Sequence, residues 1–272
     1  MFDFSFSIIV FIFGTIVGSF LNCVIYRLEQ GQSFLKGRSY CPHCKHTLSW
    51  QDLIPVLSFL FLKGKCRYCK KPISWQYPLV EISTGLIFLL IYNLQFFLLR
   101  QGFEGQAIFN SIYYLIASSF LIIIFVYDLK HYIIPDKIIY PAIFISSIWY
   151  PVSGIFLSIY TKYEILNTIY SAFGAALFFL AIVLVSRGKW MGVGDIKLAF
   201  FMGLFLGWPD ILVALFSAFF IGAIIGTGLI VAGRKKLSSE VPFGPFLVTG
   251  TFLALFSGEA LTSWYLNLFL LK

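Results

Sequence analysis

The chain is 272 residues long, 59% hydrophobic and 19% aromatic, with only 12% charged residues and a net charge of +8. A soluble domain carries about 25% charged residues, so this composition excludes a soluble globular protein and indicates an integral membrane protein. The positive balance reads as a topology signal with an attraction to anionic lipid heads, not as nucleic-acid binding.

The first apolar run continues to about Ile25, and the residues before it hold Asp3 and no basic residue. A secretory signal needs a basic n-region, so this run is expected to be a retained span. Stretches of about 20 apolar residues place further spans, giving 6–26, 79–99, 108–127, 138–158, 165–186, 195–208, 211–232 and 245–270. The expected fold is an all-α polytopic membrane protein of about eight transmembrane helices: a first span in 1–26, a soluble loop in 27–78 and a transmembrane core in 79–272. The sixth span is short, which suits a segment tucked among other helices and starting at a functional loop.

Lysine and arginine set the orientation. The loop from Arg27 to Tyr77 holds nine of the twenty basic residues, and the loops around Lys130, Lys189 and Arg234 hold eight more. With eight spans these four loops share one side. They are therefore expected in the cytosol, with both termini outside.

The first loop carries Cys41-Pro42-His43-Cys44 and Cys66-Arg67-Tyr68-Cys69. Two such thiolate pairs can close a tetrahedral zinc site of the ribbon kind, and a reducing compartment disfavours disulfides. So small a loop has little apolar core, so the metal is expected to stabilise it structurally. Four sulfurs suffice, leaving His43 and His46 as exposed turn residues, while Cys23 is expected to be a small buried residue of the first span.

An acid beside hydrocarbon is costly and marks a functional site by default. Two stand out: Asp128 closing the third span and Asp195 opening the sixth, in Gly192-Val193-Gly194-Asp195. The predicted topology puts both at the same depth. Two close carboxylates cannot both ionise easily, so one activates water while its protonated partner donates to the scissile carbonyl. Gly192 and Gly194 permit close approach of a substrate backbone, although helix-packing glycine explains them equally. Asp136 after Pro135 reads as a helix cap, and Asp52 and Glu81 as caps or as partners of basic residues. His131, three residues from Asp128, reads as a solvated loop residue.

Together these features resemble the prepilin leader peptidase family. The resemblance rests on Gly18-Ser19-Phe20-Leu21-Asn22 and Arg27, the four cysteines, Asp52-Leu53-Ile54-Pro55-Val56-Leu57-Ser58, Tyr77-Pro78 and Val80-Glu81. It continues in Asp128 with Ile134-Pro135-Asp136, Gly192-Val193-Gly194-Asp195-Ile196-Lys197-Leu198 and Pro242-Phe243-Gly244-Pro245-Phe246-Leu247. The resemblance implies an intramembrane aspartic peptidase of the inner membrane, with Asp128 and Asp195 catalytic. It cuts the basic leader from type IV prepilin or pseudopilin precursors after a glycine. It also implies methylation of the new N-terminus with S-adenosylmethionine, an activity associated with the cysteine loop. Gly18, Asn22, Arg27 and Gly64 are the expected methyl-donor positions. One departure is Leu28-Glu29, where many relatives have proline after Arg-Leu.

Two alternatives stand beside this reading. Tyr127-Asp128 with Gly-x-Gly-Asp is also the pattern of presenilin-type proteases, but those lack the cysteine loop and have Pro-Ala-Leu where this chain has Pro242-Phe243-Gly244. Paired intramembrane acids also suit a transporter or channel.

Overall fold

The computed structural model describes residues 4–33, 37–100, 104–157, 161–233 and 241–270. Of the basic residues used above, Lys36, Arg234, Lys235, Lys236 and Lys272 lie outside them. The described elements are helical: α1 (Phe4–Glu29), a 3-10 turn (Trp50–Leu53), α2 (Leu57–Phe61), α3 (Gln76–Arg100), α4 (Glu104–His131), α5 (Asp136–Leu157), α6 (Lys162–Ser186), α7 (Val193–Leu206), α8 (Asp210–Val231) and α9 (Gly244–Leu270). Apolar runs become helices because hydrocarbon offers no partner to an open backbone N–H or C=O.

Each of the eight long helices overlaps one of the predicted runs. Six of them, α1, α3, α4, α6, α8 and α9, are long and apolar enough to cross a membrane among the described residues. The all-α polytopic membrane fold is as expected, and six of the about eight expected crossings meet this measure. Helix α5 carries Pro141 and Pro151. The 14-residue α7 rises only about 21 Å at ~1.5 Å per residue, against ~30 Å of hydrocarbon.

The chain forms two compact units, Met1–Ile123 and Ile124–Lys272. In the first, α1 and α3 pack with their backbones almost touching. A Cβ on Gly14 would lie 2.7 Å from the Gly85 Cα, and one on Gly18 would lie 2.7 Å from the Glu81 Cα. Small residues four apart let helices approach this closely where no hydrophobic force drives association. The cysteine loop leaves α1 and returns to α3, and is tied to it where the Val56 amide donates to Glu81 Oε2 at 2.7 Å.

In the second unit α7 is the central element, with eight of its fourteen residues buried, including Leu198, Phe201, Met202 and Phe205. A helix apolar all round belongs inside a bundle. Gly203 of α7 meets the Ala172 backbone of α6, and Gly250 of α9 meets the Ala214 carbonyl of α8. The Tyr150 hydroxyl of α5 donates to the Phe205 carbonyl at 3.2 Å, beside the last turn of α7. A Gly203→Leu substitution would strike main chain that cannot yield. Overpacking costs about 1–3 kcal/mol or more, and a lower thermal midpoint in detergent is the expected readout.

Candidate active site and metal centre

Helix α4 runs on to His131, so Asp128 sits inside the last helical turn rather than just beyond the span. It is 4% exposed. Its Oδ2 accepts the Gly244 amide N–H at 3.0 Å, the first residue of α9, where amides lack helical partners. A Cβ at position 244 would lie 2.6 Å from that oxygen. Only glycine fits there without moving the carboxylate.

Asp195 stands in the first turn of α7, 9% exposed, and its Oδ2 accepts the Gly192 amide at 3.1 Å. Both acids belong to the second unit. Each is tethered by one amide donor of a glycine, and neither is in an ion pair among the described residues. Gly194 is packed beside Ile134, its notional Cβ being 3.2 Å from the Ile134 Cβ. This draws the segment after α4 against the start of α7.

A second tie reinforces that junction. Lys197 Nζ lies 2.6 Å from Asp136 Oδ1 and 4.8 Å over the Tyr140 ring. Asp136 is thus in the first turn of α5, where a carboxylate favours the helix dipole, and also pairs with α7. The His131 ring packs tilted against Tyr127, with centroids 4.5 Å apart.

In the first unit the four cysteine sulfurs lie within 4.8 Å of one another and are placed to hold a metal ion. His43 and His46 are outside the cluster, and His46 stacks on Tyr68 at 3.7 Å. The two knuckles repeat one plan. The Cys41 amide donates to the His46 carbonyl and the Cys66 amide to the Lys71 carbonyl, both at 2.9 Å. Lys45 and Lys70, each following a second cysteine, have φ of 59° and 60°. The amides of Cys69 and Tyr68 aim at the Cys66 sulfur and, against the effect of burial, bring its thiol down to about 7. Asp52 both caps and pairs: its Oδ2 accepts the Ser49 hydroxyl at 2.8 Å and its Oδ1 the Arg67 Nε at 2.7 Å. Burial opposes its ionisation, but these bonds hold the Asp52 carboxyl below the ordinary aspartate range.

The residues expected at the methyl-donor site fall in different settings. Gly18 packs helices, and the Asn22 amide donates to the Tyr77 carbonyl at 3.1 Å. Gly64 turns at φ +68° beneath the Phe59 ring. Arg27 donates to the carbonyls of Ser33, Gly37 and Arg38, and lines a cavity of about 550 Å³ with Gly37, Arg38 and Tyr40.

Comparison with known proteins identifies the family. The bacterial peptidase A24 N-terminal domain matches residues 12–95, and the type IV leader peptidase family matches residues 115–227. A protein of Aeromonas hydrophila named prepilin leader peptidase/N-methyltransferase is 31% identical, covering 96% of this chain and 94% of its own. The chain belongs to the type IV leader peptidase family. A protein of the same name from Bacillus subtilis (strain 168) is 32% identical over 96% of this chain and 98% of its own. One from Myxococcus xanthus (strain DK1622) is 34% identical over 86% and 67%. No solved structure matches the chain. The chain is accordingly a multi-pass membrane peptidase.

Gly244 is the residue that sequence reasoning did not assign to the site. Its signal was its place between Pro242 and Pro245, in a motif quoted for the resemblance alone. A residue that acts through its amide and its missing Cβ leaves no side chain to read.

Proposed function

We propose that this chain is an aspartic prepilin peptidase that removes the basic leader of type IV prepilin-like precursors after a glycine, at the cytosolic face of the inner membrane. The observation that carries this reading is the pair of buried carboxylates, Asp128 and Asp195, in one compact unit where Gly194, beside Asp195, packs on Ile134 of the segment that follows Asp128. The ionised acid takes a proton from water as that water attacks the scissile carbonyl. The protonated acid donates to the carbonyl oxygen. The acid that took the proton from water passes it to the departing amine nitrogen as the C–N bond breaks, and the donating acid takes back its proton from the collapsing gem-diol. The Gly192 and Gly244 amides hold each carboxylate by one oxygen, leaving the other for substrate and water.

Basic loops flank both acids, and with α5 and α7 counted as crossings the positive-inside bias supports a cytosolic side for these loops and termini outside. A prepilin presents a basic leader on that side and an apolar helix in the bilayer, so its scissile bond lies at the boundary where the acids sit.

The second activity in this reading is N-methylation of the new N-terminus. S-adenosylmethionine supplies the methyl group when bound. The cavity beside Arg27 and Arg38 offers cationic walls for its carboxylate and the Tyr40 ring for its adenine. The metal of the thiolate site is zinc. Cys41 and Cys69 sulfurs lie 3.9 Å apart, close to the ~3.8 Å edge of a tetrahedron with Zn–S bonds of about 2.3 Å. All four positions are filled by protein, so the ion is structural.

Co-expression with a prepilin and intact-mass analysis of the product tests both activities. Cleavage after the leader glycine with the added mass of one methyl group is expected, and an unprocessed precursor overturns the reading. A Cys66→Ser variant is expected to lose zinc by elemental analysis and to accumulate cleaved, unmethylated pilin. Fully methylated product from the metal-free variant would detach the loop from methyl transfer.

A further inference from the structure

The loop between α1 and α3 exposes large apolar side chains that its own fold does not use. Taking ~100° per residue, Leu57, Leu60 and Phe61 of α2 share one sector, opposite Phe59, which is buried against Trp75. Phe61 is 83% exposed, and Trp50 in the preceding turn is 72% exposed. In a soluble segment such a patch signals a contact surface.

Its level relative to α3 identifies the contact. The Val56 amide, at the start of α2, is bonded to buried Glu81. Glu81 is the sixth residue of α3, about 7–8 Å along a helix rising ~1.5 Å per residue. That stretch of α3 belongs to a membrane-crossing segment, and Leu79, Ile82, Leu86 and Leu90 form its exposed apolar stripe. The apolar sector of α2 therefore lies level with the first turns of a lipid-facing helix. Val56 adopts φ +60°, a costly conformation for a β-branched residue, so the loop accepts strain to hold α2 at this level.

Charge selects the occupant. Residues 27–77 hold nine basic residues against two acids, Glu29 and Asp52. Lys63 and Lys65 lie two and four residues after Phe61. A second copy would bring the same positive charge, and a basic leader would be repelled. An anionic lipid surface complements both the charge and the apolar sector, and exposed Trp50 and Trp75 are residues that favour such interfaces.

We propose that the Trp50–Leu53 turn and α2 form an interfacial anchor that seats the metal-binding loop on an anionic bilayer surface. Adsorption of this kind combines buried apolar area with attraction to anionic lipid.

The test uses the full chain in nanodiscs, with an environment-sensitive fluorescent amino acid at position 61 in one preparation and at position 43 in another. Zinc content is matched between the two. Nitroxide-bearing lipids labelled at shallow acyl positions should quench the probe replacing Phe61 severalfold more than the probe replacing His43. The difference should be larger with phosphatidylglycerol present than with phosphatidylcholine alone. Lys63→Gln together with Lys65→Gln should lower the docked-to-undocked ratio by roughly fivefold per lysine, from ~1 kcal/mol for each basic residue at an anionic surface. Equal quenching at the two positions, or no dependence on anionic lipid, overturns the proposal. Shielding at position 61 that arises only on adding a prepilin-like peptide, or only at high protein density, assigns the face to substrate or to a second copy and overturns it equally.

Discussion

Replacing Asp195 by asparagine is expected to lower prepilin cleavage by about 10²–10⁴-fold, the usual contribution of a positioned proton-transfer group. Asp128→Asn should do the same. The amide side chain is nearly isosteric and keeps an oxygen that can accept the Gly192 or Gly244 N–H. Loop geometry is thereby retained while proton exchange is lost. Because the two acids act as a unit, the double variant should lose little beyond the worse single variant. Rates of leader removal from a purified precursor measure this, with the thermal midpoint as the folding control. Methylation of an already cleaved pilin should persist in both variants, since the cysteine loop belongs to the other compact unit. Substantial cleavage by either variant would sink the aspartic mechanism. Loss of methylation alongside cleavage would point to a general failure to fold.

The helices were legible because hydropathy reports what the bilayer demands of a backbone. Where they end was less so. The third apolar run stops near Tyr127, yet α4 continues to His131, because a helix protruding from hydrocarbon loses only the apolar requirement and keeps its hydrogen bonds. The shortness of α7 was visible, and its all-round apolar composition matches burial on every face. The metal knuckles followed from Cys-x-x-Cys spacing, since ligand geometry is local. Contacts between distant segments were hidden. Asp136 looked like a cap, whereas its carboxylate reaches Lys197, sixty-one residues away. Helix α2 was hidden too, because five residues carry no periodicity and their placement depends on Glu81.

The deepest such contact is that of Gly244, and Gly244→Ala is expected to lower kcat for cleavage by about 10²-fold. The alanine Cβ would sit 2.6 Å from Asp128 Oδ2, about 1 Å inside the ~3.5 Å separation of ordinary van der Waals contact. Asp128 closes a packed turn of α4 and Gly244 opens α9, so the side chain must rotate to relieve the clash. That rotation displaces the carboxylate and stretches the bond to the Gly244 amide. A displacement of about 1 Å at a reacting group costs on the order of 10²-fold. Alanine is a better helix former than glycine, so α9 itself should not be weakened. The expected signature is a fall in kcat with KM nearly unchanged, because the precursor's apolar helix and basic leader bind outside the dyad. A rise in KM at constant kcat would instead assign Gly244 to substrate binding. Wild-type kcat in Gly244→Ala would show that the dyad tolerates the shift, and Asp128 would then not be held by this amide during catalysis.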